Sequence, residues 1–493
     1  IRDLIVTGVQ TCALPIFIGD VDFVNYLVSD NIVSPACTGD VWPVYNATHP
    51  KYFTTIQSAI NDASTVTGDV ITVAAGTYSE GTITISKSLD IRGAKYNVDP
   101  TNVSNGRTAG TVTGESVIVG PVLFNSNVSN VFFNGFYVDY NGTAVLGESV
   151  STYLNNGVSN ISISYNVYED SDYNINVTPP WGIHKAIITS STGSSNVSIA
   201  SNLIAGYETA VYLNPAANNA VLNGNKVLNC KYGFRFISTQ GLTVTNNTFE
   251  GSGGLQLRSG WSNPAPAISG LTITGNFFSN LPASILWVGY LDVQDNRLTV
   301  DVSNNTFEGK LPSAMSLTEL FALEDHIVHK LDNATKGLVT WIPGNLYVTT
   351  NSGSIQRGID AATSGWQVNV NEGIFTEQLH ITTNNLTIGG VSKSTVTVKA
   401  PASVPLYFTS GTNQNHPVIF VDGVNQFTMN NVTIDGDGKG NANYRFQGIG
   451  FWKSGGTLTN VDVYNIIDTP FSGAQHGVAV YAHNNTNGPY TVA

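Results

Sequence analysis

Two hydrophobic periods alternate along the chain. From Thr55 onward, Ile56, Ala59, Ile60 and Ala63 stand at i, i+3, i+4 and i+7, a spacing that lines four apolar groups along one face of a short helix. After Gly68 the period drops to two, through Val70 to Val73, Ile83 to Ile85 and Leu89 to Ile91, and predicts short, closely spaced strands. The passage returns far downstream. Ile355, Gln356, Ile359 and Ala362 repeat Ile56, Gln57, Ile60 and Ala63, and Gly373, Phe375 and Glu377 repeat Gly76, Tyr78 and Glu80. An amphipathic helix ahead of β-branched strands predicts a cap over the open end of a strand stack, where apolar core and unpaired backbone would otherwise meet water.

Behind the first cap the strand pattern becomes apolar-x-apolar-x-x-Asn-x-apolar, carried by Asn166, Asn202, Asn225, Asn247, Asn276, Asn296 and Asn305. A recurring turn residue every twenty or so positions predicts a solenoid, and the uneven spacings predict loops inserted at some corners. Asn tolerates the left-handed backbone of a corner, and its amide can bond to the Asn one rung above. The reading therefore places Asn166, Asn202, Asn225, Asn247, Asn276 and Asn305 in a structural ladder.

With the TIQ-x-AI helix and the turn Gly76-Thr77-Tyr78-Ser79-Glu80, the chain resembles the pectin-lyase-like superfamily of right-handed parallel β-helices. The cap passages are similar to the start of pectin methylesterases. The resemblance implies an all-β fold: two tandem right-handed parallel β-helix solenoids, each with an N-terminal α-helical cap, joined by a helical linker. It also implies an extracellular or cell-surface location. It transfers no catalytic residues. The esterase segments Gln-Ala-Val, Asp-Phe-Ile-Phe-Gly and Gly-Arg-Pro-Trp are absent, as are the polygalacturonase strings, and Gln475-His476-Gly477 shares only a His-Gly pair with the latter.

The repeat sets the expected boundaries. Residues 1–16 contain VTGVQTCALPI, which resembles a translated sequencing adapter and is set aside as an artefact. Residues 17–40 read as the tail of an upstream module, 41–310 as the first β-helix, 311–340 as the linker and 341–493 as the second β-helix, truncated. In the linker, Leu317, Leu320, Phe321, Glu324, Ile327, Val328 and Leu331 predict one amphipathic helix opened by Ser316 and ending near Gly337. His326 and His329 on it read as part of a solvated face or, with Glu324 and Asp325, as metal ligands.

Composition narrows the function. Charged residues make up only 11% and the net charge is −13, which excludes the basic footprint of a nucleic-acid binder. No run of eighteen apolar residues occurs, so no membrane span is expected in this stretch of chain. Three constellations offer chemistry. Asp435, Asp437 and Asn441 alternate oxygen donors along a Gly-rich loop and suit Ca²⁺, the one cofactor the sequence points to, or else form a solvated corner. Asp468 and His476 are candidates for an acid/base pair. Glu169, Asp170 and Asp172 beside Tyr165, Tyr168 and Tyr173 read as a sugar or cation site or as an inserted polar loop.

Two functional classes follow: a non-catalytic scaffold binding a polysaccharide, a cell-surface glycan or a partner surface, or a polysaccharide lyase or glycoside hydrolase acting on acidic polysaccharide. Carboxylates clustered with Arg or Lys on one face favour the enzyme; scattered carboxylates favour the scaffold.

Overall fold

The computed structural model describes residues 42–175, 184–191, 193–215, 217–260, 267–285, 288–472, 477–484 and 490–493. Residues 1–16 and 17–40, with the expectations attached to them, lie outside the described residues.

The chain is mostly β, in parallel sheets of a β-helix fold. Short strands with one apolar face cannot be stable singly, and the chain resolves this by coiling. Val70–Val73, Gly76–Tyr78 and Ile83–Ile85 each enter a different sheet, and Asp90–Arg92 returns to lie parallel against Val70–Val73. Repetition builds sheets of 11, 9 and 10 strands. A second set, of 5, 4 and 5 strands, starts at Asn345–Val348 and shares no strand with the first among the described residues. Antiparallel pairing is local, as where Val44–Asn46 joins Lys51–Phe53 to the edge of the first sheet.

Parallel register stacks like side chains. Phe249, Phe278 and Phe307 occupy matching positions on three successive strands, with ring centroids 4.9 and 5.1 Å apart and planes within 6° and 11° of parallel. Burial of each ring contributes about 1.5–3 kcal/mol. The buried apolar side chains form two large clusters, one running from Val44 to Tyr347 and one from Leu331 to Ile466.

Helix α1, Ile56–Asn61, is capped by Thr55 and buries Ile56, Ala59 and Ile60. Glu80 accepts the backbone N–H groups of Ile56 and Gln57 at 2.7 and 2.8 Å. The Gln57 side chain accepts from Thr84 N–H at 2.6 Å and donates to Thr84 O at 3.2 Å, so it pairs with a strand as backbone would. Every one of these contacts recurs: Glu377 accepts from Ile355 and Gln356 at 2.7 and 3.0 Å, and Gln356 brackets His380 at 2.8 and 3.2 Å.

Around residue 320 the structure departs from the expectation. Helix α2 spans only Leu317–Glu324, opened by a capping box of Ser316 and Glu319. Ile327–Val328 is a strand paired with Leu291–Val293, so the third sheet continues past residue 310. The helical period persists through Leu331, but two β-branched residues find a parallel partner and tertiary pairing overrides it. Helix α3, Ile355–Ala361, opens the second set of sheets.

His329 is not on a solvated face. Both it and Glu324 are buried, with His329 Nε2 3.2 Å from Glu324 Oε1, and Nδ1 accepts Val339 N–H at 3.1 Å. In the neutral ring that leaves the proton on Nε2, facing Glu324; charging the ring adds a second proton at Nδ1. Among the described residues no group of three or more His, Cys, Asp or Glu is placed to hold a metal ion.

Candidate functional site

Six buried asparagines run along one corner of the first set of sheets. Asn166, Asn202, Asn225, Asn247, Asn276 and Asn305 are each joined to the next by an amide N–H to Oδ1 bond, at 3.2, 3.0, 2.8, 3.0 and 2.9 Å. From Asn202 on, each Oδ1 also takes the preceding Asn's backbone N–H, as Asn225 Oδ1 does from Asn202 at 3.0 Å, while Asn166 Oδ1 takes that of Phe136 at 3.0 Å. This corner is fully hydrogen-bonded from within and offers nothing to a ligand. Asn296, which fits the same pattern, is exposed and outside the ladder; its turn is organised by Asp295, which Arg297 grips through Nε and Nη2. A second, outer ladder of Asn130, Asn160, Asn196 and Asn219 escaped the sequence pattern. All four hold the left-handed φ of 52–54° that Asn tolerates.

The third sheet carries the chemistry. Tyr153, Ile188, Tyr212, Arg235, Gln256 and Asp292 are successive register partners on Glu148–Leu154, Lys185–Thr189, Thr209–Leu213, Tyr232–Ile237, Leu255–Arg258 and Leu291–Val293. Strand alternation explains the row: Phe234 and Phe236 fill the core, so Arg235 between them points to the other side.

Arg235 is the unusual member. It is only 7% exposed, and its guanidinium carbon lies 4.3 Å from the Tyr232 ring centroid and 4.9 Å from that of Tyr212. Its Nε donates to Gln256 Oε1 at 2.9 Å, and Gln256 Nε2 donates to Asp292 Oδ2 at 2.8 Å. Asp292 is already paired with Lys336 at 2.6 Å. Among the described residues Arg235 forms no ion pair, and its terminal nitrogens have no acceptor. The other deeply buried arginine, Arg107, shows the contrast: Glu115 takes its Nε and Nη2 at 2.7 and 2.9 Å, and three backbone carbonyls complete its partners. The Arg235 terminal nitrogens stay open to solvent, where water or an arriving anion can accept from them.

Other charges gather on this side. Lys185 pairs with Glu148 at 2.7 Å. Tyr232, Tyr173 and Tyr212 have phenols pushed up, first by burial; Glu208 adds to all three, while Arg235 and Arg258 pull Tyr232 and Tyr212 back. Asp170 is buried, raised by burial, and hydrogen-bonded to His184. The carboxylates Glu148, Glu208 and Asp292 gather with Lys185 and Lys336 around Tyr212 and Tyr232, and no local motif marks any of them. Only the register of the solenoid, which no local motif encodes, brings them together.

The sequence-selected groups are placed elsewhere. Asp437 gives its two oxygens to Lys399 and Lys439 at 3.0 and 3.1 Å, which hold its carboxyl below the usual range. Asp435 Oδ1 accepts Asp437 N–H at 2.8 Å and Asn465 Nδ2 at 2.9 Å, and Asn441 Oδ1 accepts Thr469 N–H at 2.6 Å. These oxygens are committed to lysines and the loop's own donors, where Ca²⁺ binding needs them to converge. Asp468 is buried on Ser472, whose backbone N–H it accepts at 3.0 Å; His476 lies outside the described residues. The acidic group near residue 170 divides: Glu169 bonds Tyr137 and Tyr168 is fully buried against Thr152, while Asp170 stays beside Asp172, whose backbone N–H it accepts at 3.1 Å.

No family model and no curated protein matches this chain. Among solved structures it is similar to a mutant of the PL6 family alginate lyase AlyGC at 9% identity, over 88% of this chain and 82% of that one, with a TM-score of 0.25. It is similar to a GH87 α-1,3-glucanase catalytic domain in complex with nigerose at 12% identity, over 86% of this chain and 63% of that one, with a TM-score of 0.23. PfbA, a surface adhesin of Streptococcus pneumoniae, aligns at 11% identity over 84% of each chain, with a TM-score of 0.26. At these scores none of the three lends a residue role to this chain.

Proposed function

We propose that the protein is an extracellular or cell-surface β-helix protein that binds an acidic polysaccharide across its third sheet, with Arg235 as the anchor. The fold that supports this reading is two right-handed parallel β-helices in tandem, each opened by a short helix, α1 or α3, whose N-terminal amides are held by Glu80 or Glu377. The single observation that carries the function is the buried guanidinium of Arg235, clamped between tyrosines and lacking a carboxylate.

Its two terminal nitrogens are arranged to donate in parallel to one carboxylate of a uronate, or to one sulfate. Tyr212 and Tyr232 fix the plane of the fork, and the half-buried ring of Tyr212 gives a pyranose an apolar surface. Successive rungs stand about 4.8 Å apart, so a glycan lying across the strands meets one rung per sugar or nearly so.

Polygalacturonate, alginate and chondroitin sulfate in affinity electrophoresis test this. Retardation by at least one, weakened about ten-fold or more in Arg235→Gln, is expected, since a hydrogen bond to a charged group contributes about 1.5–3 kcal/mol. Equal retardation of both proteins would remove Arg235 from the site.

The clustered carboxylates support a second reading, a lyase or hydrolase, in which Arg235 binds the uronate and Tyr232 or Glu208 handles a proton. Release of unsaturated or reducing ends, lost in Tyr232→Phe with retardation kept, would establish it over the binding reading.

A further inference from the structure

At the opening edge of the first sheet, Trp42, Tyr45, Tyr52, Arg92 and Tyr96 line a cavity of ≈ 500 Å³, within the usual size of a small-ligand site. Three of these rings are open to solvent, Trp42 at 39%, Tyr52 at 37% and Tyr96 at 38%. Tyr52 and Tyr96 are held in place rather than loose. Tyr45 and Tyr52 are cross-strand partners on the antiparallel pair, with centroids 4.5 Å apart and planes 33° from parallel. The Arg92 guanidinium carbon lies over Tyr96, 4.4 Å from its ring centroid.

Charge decides the ligand. Arg92 is already gripped by Asp90, with Nη2 and Nε at 2.5 and 3.0 Å from one carboxylate oxygen. The pair is neutral, so the cleft offers hydrogen-bond donors and acceptors without a net charge, beside exposed aromatic faces. That is the reverse of the Arg235 environment, where a cation lacks its anion. Aromatic faces with polar groups at their rim suit the C–H face and hydroxyl edge of a sugar ring.

We propose that this cleft binds an uncharged pyranose glycan, independently of whatever the third sheet holds. Affinity electrophoresis against laminarin, galactomannan and hydroxyethylcellulose, with polygalacturonate as the charged comparison, tests it on the full chain. At least one neutral glycan should retard the protein, and Trp42→Ala and Tyr96→Ala should each weaken that retardation roughly ten-fold, while Arg235→Gln leaves it unchanged. Thermal unfolding midpoints equal to the parent's show that the variants fold; should Trp42→Ala unfold, Tyr52→Ser replaces it. Three results would overturn the proposal: no retardation by any neutral glycan, retardation untouched by the Trp42 and Tyr96 changes, or a Trp42-dependent retardation by polygalacturonate alone.

Discussion

The carboxylate of Glu80 accepts the backbone N–H of Ile56 across 24 positions of sequence, at 2.7 Å. It thereby ties the first turn of α1 to the strand turn that follows it. Replacing Glu80 with Ala leaves two helix N–H groups without their acceptor and should cost about 1–3 kcal/mol, and Glu377→Ala should cost the same in the second set. Chemical denaturation of each single variant checks this. Wild-type midpoints in both would show the bonds to be dispensable.

Asn225 sits mid-ladder, accepting from Asn202 and donating to Asn247. Changing it to Ala strands its neighbours' amides inside the corner, and about 1–3 kcal/mol should be lost. The outer ladder gives an internal control: Asn196→Ala, on an exposed corner, should cost less, because water can take over the freed groups. Urea melts of the two variants rank them.

Stability should fall as pH rises above the ordinary imidazole value. Burial, the largest single influence, opposes charge on His329, but the facing carboxylate of Glu324 together with Asp332 outweighs it and holds the imidazole above its ordinary range. A group whose folded pKa is raised contributes fully below its unfolded pKa and loses that contribution as pH climbs through the folded one. Melting temperature measured from pH 6 to pH 9 should therefore decline, and His329→Gln should flatten the decline. An unchanged slope in that variant would assign the effect elsewhere.

Gly450 should not tolerate a methyl group. A Cβ there would meet a ring carbon of Phe408 at 2.8 Å and Pro417 Cβ at 2.9 Å. Phe408 stacks on Trp452 and Tyr481, with centroids 5.1 and 5.8 Å away, so it cannot withdraw without unstacking both. Gly450→Ala should lose about 1–3 kcal/mol and alter the near-ultraviolet circular dichroism of these rings. A native-like spectrum would show that Phe408 has room.

The strand periods, the two short helices and the six laddered asparagines were legible because each depends on residues close in sequence or recurring at one offset. Glu80 and Glu377 stood out as a repeated letter, and the structure supplies the reason: each closes a helix end. Asn296 misled because the pattern records a turn residue and not which corner it occupies. Ile327 and Val328 misled because an apolar pair fits either period until a partner strand chooses. Arg235 was invisible. Its character comes from neighbours about one coil before and after it, Tyr212 and Gln256, and from the carboxylate that is missing beside it.

The asparagine ladder also limits how such a chain can change length. Deleting the stretch from Asn225 through Asn246 would bring Asn247 beneath Asn202, one amide replacing another and every rung still matched. Inserting a single residue between Asn225 and Asn247 would instead force a bulge, or turn the phenylalanines of that coil toward water. Evolution can therefore lengthen or shorten this molecule in whole coils, and the number of coils, more than any one side chain, sets how long a polymer the proposed third-sheet site could span.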